Sequence, residues 1–257
     1  MSSLYACGDH VVVRIARAAH AADAETRFLD AMQAAGLRAP RLVREVVDIG
    51  DGWSACALER VVADGPVDWC EVGRMVATVH SIDPAPFTPL PWCLDFAHWD
   101  IDAGLGGIAD DIDEAAMAGL RAALGRWPDW RRTLAAEPQV LSHGDVHPGN
   151  VVFTAAGPVL IDWDLRCRAP RGWDHAAVRT WPTRWGGEAS MYTDFARGYG
   201  MSLEADAATE CLAELRLVVA TVMRVMAGRT DSLASHEASQ RLRFWRGEPD
   251  APQWVAQ

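Results

Sequence analysis

The stretch VLSHGDVHPGNVVF, residues 140–153, places two histidines, an aspartate and an asparagine within eight positions, between runs of strand-forming residues. The β-branched and aromatic neighbours draw this segment toward a sheet, leaving His143, Asp145, His147 and Asn150 on a short loop at its edge. Polar groups so placed cost free energy unless each finds a partner, so the loop calls for an explanation. The next segment supplies part of it. VVF and PVLI are joined by TAAG (154–157), which favours a hairpin with Asp162 at the end of its second strand. Such a hairpin returns Asp162 beside Asn150, so Asp145, Asn150 and Asp162 gather at one mouth.

Oxygen ligands on Asn150 and Asp162 suit Mg²⁺, which takes carboxylate or carbonyl oxygens together with substrate phosphates. Asp145 then stands on the opposite side of a transferring phosphoryl group, where it orients and deprotonates a hydroxyl. The alternation His143, Asp145, His147 also invites zinc. Alternating positions on a loop broken by Pro148-Gly149 do not enforce a tetrahedron, and the histidines read better as braces of the loop. A third reading is a capped hairpin with solvated polar side chains. Spacing alone leaves phosphoryl transfer and the capped hairpin open.

HGDVHPGN followed by VLIDWD resembles the signature of the aminoglycoside phosphotransferase family, whose fold is similar to that of the protein kinases. The resemblance implies an α+β, bilobal protein kinase-like fold with a small, abbreviated, β-rich N-lobe (1–62) and a larger, mainly helical C-lobe (63–257). It implies Asp145 as the catalytic aspartate and Asn150 and Asp162 as metal-binding residues. His143, His147 and Asp174 become structural supports, with Asp174 in RGWDHA steadying the catalytic loop. Arg14 in VVVRIA takes the place of the lysine that reaches nucleotide phosphates, with Glu25 as its ion-pair partner on the following helix. Backbone groups around Glu59, Arg60 and Val61 are expected to bond adenine. The implied cofactors are Mg²⁺ and ATP, with GTP as an alternative donor. Only ten residues precede VVVRIA and no glycine-rich phosphate loop can be written from them, so the expectation is an abbreviated lobe or a coding start further upstream.

Periodicity agrees with two lobes. Residues 4–7, 11–16, 41–48 and 53–62 read as strands and 23–35 as a helix, whereas 68–82, 113–125, 130–136 and 205–227 have helical spacing. A net charge of -11 with no compensating basic stripe argues against a nucleic-acid partner. The six cysteines are scattered without a CxxC pair and read as small buried hydrophobes. No run approaches the roughly 20 apolar residues of a membrane span, and the start lacks a secretory pattern, so no membrane partner and a cytoplasmic location are expected. Seven carboxylates between Asp95 and Glu114 suggest a negative wall on the acceptor side, with Asp95 and Asp100 foremost and Trp181 and Trp185 lining a ring-binding pocket. The expected acceptor is a small cationic molecule, foremost an aminoglycoside or similar antibiotic, which would make antibiotic resistance the implied role. The alternatives are a kinase of an endogenous hydroxylated metabolite and a catalytically silent binding protein, the latter motivated by Arg14 and the absent phosphate loop.

Overall fold

The computed structural model describes residues 2–17 and 22–256. β1 (Ser2–Cys7) and β2 (Val11–Arg17) form an antiparallel hairpin that places Leu4 opposite Arg14. Gly8 sits in its turn at φ +67°, a conformation glycine adopts without steric cost. α1 (Ala22–Ala34) follows, then β3 (Leu42–Gly50) and β4 (Trp53–Glu59), giving one sheet in the order β1-β2-β4-β3. β-branched residues fill β2 and β3, and α1 carries Phe28, Leu29 and Met32 on its buried side. This lobe is thin: Leu4, Tyr5, Val47 and Ile49 remain exposed, and the buried face of α1 shares a core with Val76, Leu141 and Trp163 of the other lobe.

Residues 60–68 cross between the lobes. Their path is pinned to a second hairpin, because the N–H groups of Asp64 and Gly65 donate to the Phe153 carbonyl at 3.1 and 3.0 Å. A Cβ on Gly65 would come within 2.0 Å of the Thr154 carbonyl oxygen, so the linker lies against that hairpin backbone to backbone.

The larger lobe begins with α2 (Trp69–Ser81), N-capped by Asp68, and continues through α3 (Ile101–Gly107), α4 (Glu114–Gly125) and α5 (Trp130–Ala136). β5 (Gln139–Ser142) then leads into the 143–150 loop. β6 (Val151–Thr154) and β7 (Gly157–Leu160) form the hairpin after it, with Val151 opposite Leu160. β8 (Cys167–Pro170) returns antiparallel to β5, and α6 (Gly172–Arg184), α7 (Met191–Tyr199), α8 (Ala207–Gly228) and α9 (Ser232–Trp245) complete the chain. α8 is the central element: Leu212, Leu215, Val219 and Val222 are buried in one cluster with Leu120, Trp173 and Leu242. Burial of each such side chain stabilises the fold by roughly 1.5–3 kcal/mol. The result is bilobal and kinase-like, as the sequence led us to expect. No helix among the described residues is long and apolar enough to cross a membrane.

Candidate active site

β5 delivers the loop and a buried aspartate fixes it. Asp174, in the first turn of α6, accepts the His143 N–H on Oδ2 at 3.0 Å and the Gly144 N–H on Oδ1 at 2.9 Å. Its Oδ2 also meets His80 Nε2 at 3.0 Å, and His80 Nδ1 meets the Tyr199 hydroxyl at 2.9 Å, so α2, α6 and α7 hold the loop jointly. Burial alone would push the Asp174 carboxyl up. The His80 bond and charge, the His143 charge and the Gly144 N–H outweigh it and hold the pKa below the usual range. Gly144 has φ +95°, and a Cβ there would lie 1.9 Å from the Leu165 carbonyl oxygen, so only glycine fits where the loop meets the segment after Asp162.

Asp145 projects from this clamp with 30% of its side chain exposed. Arg216 Nη2 donates to Oδ1 at 2.9 Å, His147 Nε2 lies 3.3 Å from Oδ2, and Asn150 Nδ2 donates to the same Oδ2 at 3.2 Å. Burial pushes this carboxyl up, but the His147 bond and the charges of Arg216, His147 and His143 bring it down to about 2. At neutral pH it is ionised and able to accept a hydrogen bond. His147 Nδ1 accepts the Gly149 N–H at 3.0 Å, so Nε2 carries the proton toward Asp145. His143, fully buried, accepts the Asp145 N–H on Nδ1 at 3.3 Å and directs Nε2 to the Ile161 carbonyl at 3.0 Å; burial lowers its pKa. These contacts occupy the ring nitrogens that a zinc site would need. Among the described residues no group of three or more His, Cys, Asp or Glu side chains is arranged to hold a metal.

The hairpin brings the other two residues to the same mouth. The Ile161 N–H donates to the Asn150 carbonyl at 3.0 Å, extending the β6–β7 ladder by one step and setting Asp162 next to it. Asp162 is in the left-handed region at φ 60°. Partial withdrawal from water and the neighbouring Asp164 carboxylate push its pKa up, against the charges of Arg14 and His143. Its carboxylate has no hydrogen-bond partner among the described residues.

The expected Arg14–Glu25 pair is not what forms. Arg14 bonds Asp164, the second aspartate of Asp-Trp-Asp, while Glu25 pairs with Arg166 at 2.6 Å. The reason is charge burial. The Arg166 side chain is only 3% exposed, with its guanidinium 4.3 Å from the Phe28 ring centroid, and an unpaired buried cation there would be severely destabilising. Glu25 therefore serves Arg166, and Asp164 takes Arg14; Glu25 acts on Arg14 only through its longer-range charge. The adenine edge also narrows. The N–H groups of Glu59 and Arg60 are already bonded to the carbonyls of Arg41 and His10, at 2.9 and 2.8 Å, leaving that of Val61. The Glu59 side chain pairs with Arg41 at 2.8 Å.

On the far side of Asp145 lies a cavity of about 660 Å³, with Trp181 and Trp185 in its wall. Asp95 and Asp100 are not in that wall, contrary to expectation. Asp95 accepts the Trp92 N–H at 2.9 Å, and Asp100 caps α3 through the Ala103 N–H at 3.2 Å. Two other carboxylates of that run are placed similarly: Asp113 caps α4 and pairs with Arg246, and Asp111 pairs with Arg229. Free helix N–H groups and surface arginines claimed these four acids, and among the described residues lining the cavity no carboxylate comes from the 95–114 run.

The sequence profile described as "Phosphotransferase enzyme family" matches residues 3–215. The chain belongs to this family. No curated protein matches it by sequence. Among solved structures, the GDP complex of aminoglycoside 2'-phosphotransferase-IIIa is similar with TM-score 0.70 and 12% identity over 96% of this chain and 89% of that one. Amicoumacin kinase with AMP-PNP, Ca²⁺ and Ami gives TM-score 0.65 and 13% identity over 96% and 88%. An aminoglycoside phosphotransferase, APH(3'')-Id of Streptomyces rimosus, gives TM-score 0.58 and 19% identity over 85% and 89%. Identities this low speak for the fold.

Two further features of this phosphotransferase family member were not foreseen from its sequence. Arg216, on α8, reaches both the Gly144 carbonyl and Asp145 from 71 residues beyond the latter. The arginine at position 14 is also no local oddity, since all 24 cationic side chains are arginine and the chain contains no lysine.

Proposed function

We propose that this protein transfers the γ-phosphoryl group of a nucleoside triphosphate, ATP first and GTP as the alternative, to a hydroxyl of a small molecule. One observation carries the reading: an ionised Asp145, clamped through Asp174, shares a hairpin mouth with Asn150 and an unpartnered Asp162. The resemblance to structures holding GDP and AMP-PNP supports the nucleotide. Mg²⁺ fits the residues present, because Asn150 commits its side-chain N–H₂ to Asp145 and keeps its side-chain Oδ1 available, while Asp162 has a carboxylate that a cation would stabilise. When bound there by Asn150 and Asp162, the ion neutralises charge on the phosphate oxygens.

The chain's own residues do the rest. Arg14 offers its guanidinium to the phosphates in exchange for Asp164, and Val61 offers its N–H to the base. Asp145 accepts the hydrogen bond of the acceptor hydroxyl and fixes its approach. As the new O–P bond forms and the bond to the leaving diphosphate breaks, the hydroxyl proton passes to Asp145. A carboxylate with a pKa of about 2 is a weak base, so its contribution is alignment first and proton removal late. Of the acceptors expected from the sequence, a hydroxylated metabolite or antibiotic without many cations suits the cavity better than a polycationic aminoglycoside, since the expected acids are engaged elsewhere.

The test is transfer of label from γ-labelled Mg-ATP and Mg-GTP to a panel of hydroxylated metabolites, aromatic alcohols and aminoglycosides, with Asp145→Ala as control. Label transfer that disappears in the variant supports the reading. Binding of an acceptor without Mg-nucleotide binding or nucleotide consumption would instead establish a silent binding protein.

A further inference from the structure

The cavity beside Asp145 is walled by flat rings. Trp181 stacks on His147 at 5.1 Å and 4°, and Trp185 stacks on Trp181 at 5.2 Å and 16°, so three rings form a ladder from the catalytic loop to the end of α6. Trp173, Phe96 and Met223 contribute other parts of the wall. Aromatic faces attract cations, but here the chain supplies its own. Arg216 stands 5.5 Å from the Trp173 ring and Arg241 4.8 Å from that of Trp185. Arg241 is compensated by the buried Glu237 at 3.0 Å. Among the described residues lining the cavity, Asp145 is the one carboxylate, and Arg216, His147 and Asn150 already engage it.

A polyamine entering this space would shed water from several ammonium groups and meet indoles and guanidinium groups instead of acids. A planar ring loses little hydration and gains edge-to-face and apolar contact over a large area. We infer that the acceptor is a planar aromatic alcohol carrying no amine, with its ring face against the edges of the Trp181–Trp185 ladder and its hydroxyl at Asp145. This rests on the phosphotransferase reading above and names its acceptor class. The transfer balances as before: the hydroxyl oxygen gains phosphorus, the diphosphate leaves, and the proton goes to Asp145.

Titration calorimetry of the full chain without nucleotide, using 2-naphthaleneethanol and kanamycin as probes, tests the class. The aromatic alcohol is expected to bind at least tenfold more tightly than kanamycin. Trp185→Ala is expected to weaken the aromatic alcohol about tenfold. Met223→Glu places a carboxylate at a wall position that is 50% exposed and so leaves folding little affected; it should shift the affinity ratio at least tenfold toward kanamycin. Tighter kanamycin binding by the unaltered chain, or a ratio that Met223→Glu does not move, would overturn the inference. Binding with the expected preference but no Asp145-dependent label transfer to any member of the panel sinks the phosphotransferase reading and leaves the cavity's preference for aromatic ligands standing. Asp145-dependent transfer to kanamycin alone does the reverse.

Discussion

The 143–150 loop has two faces of opposite character. Toward the small lobe lie Arg14, Glu25, Asp162, Asp164 and Arg166, charges of both signs that are mostly paired with one another. Toward α6 and α8 lie stacked rings, with one arginine reaching the loop. The first arrangement suits a compact, highly charged ligand, which can displace internal ion pairs one for one. The second suits a ligand recognised by area and shape. Asp145 belongs to both, and its clamp through Asp174 comes from behind, independent of either ligand.

Four perturbations would break or sharpen this contrast, beginning with the largest. Asp145→Asn removes the group shared by both faces, and a loss of roughly 10²–10⁴-fold in transfer rate is expected with an unchanged circular dichroism spectrum. Transfer within threefold of the unaltered chain would detach Asp145 from the chemistry. Asp174→Ala strips His80 and two loop N–H groups of their partner inside the core, so a stability loss of about 3–5 kcal/mol should show in urea denaturation, with both faces failing together.

Acid should act on the scaffold through a buried histidine. Burial pushes His175 down to about 4, and an unfolded histidine titrates near 6.5. Folded and unfolded states are equally neutral above pH 6.5. Below it the unfolded state binds the proton first, so stability falls between about pH 6.5 and 4, by roughly 3 kcal/mol for this group. Melting temperatures across that range should show the decline, and His175→Phe should make it shallower, the buried His143 contributing to what remains. The fourth change separates the faces: Arg14→Ala should weaken Mg-nucleotide binding about tenfold, roughly 1.4 kcal/mol, while acceptor binding measured without nucleotide stays within twofold.

The same contrast governs what the sequence discloses. The catalytic loop and hairpin are local, since turn chemistry and strand period between 140 and 164 suffice to bring Asn150 and Asp162 together. The small lobe reads equally well, because its strands alternate with a single amphipathic helix. Arg216 was hidden because no spacing links α8 to the loop. The available signal was a second helical stripe through Arg216, Ala220, Met223, Arg224 and Ala227, all on the cavity wall and distinct from the buried stripe of Leu212, Leu215 and Val222. The acidic run was misread for the opposite reason. Its residue types suggested a surface for cations, yet the starts of α3 and α4 needed an acceptor and took one. α6 and α9 escape a periodicity reading because α6 is buried on nearly all sides and α9 buries Glu237 and Arg241 in place of apolar residues.

Asp162 holds a left-handed backbone that glycine adopts freely and that costs a side-chain-bearing residue of order 1–3 kcal/mol. A redesign driven by folding energy alone would choose glycine there, producing a sturdier molecule stripped of the carboxylate at the hairpin mouth. If Asp162 holds the metal as proposed, position 162 is a place where thermostability and chemistry pull in opposite directions, and directed evolution for heat tolerance without selection for turnover should drift toward losing it.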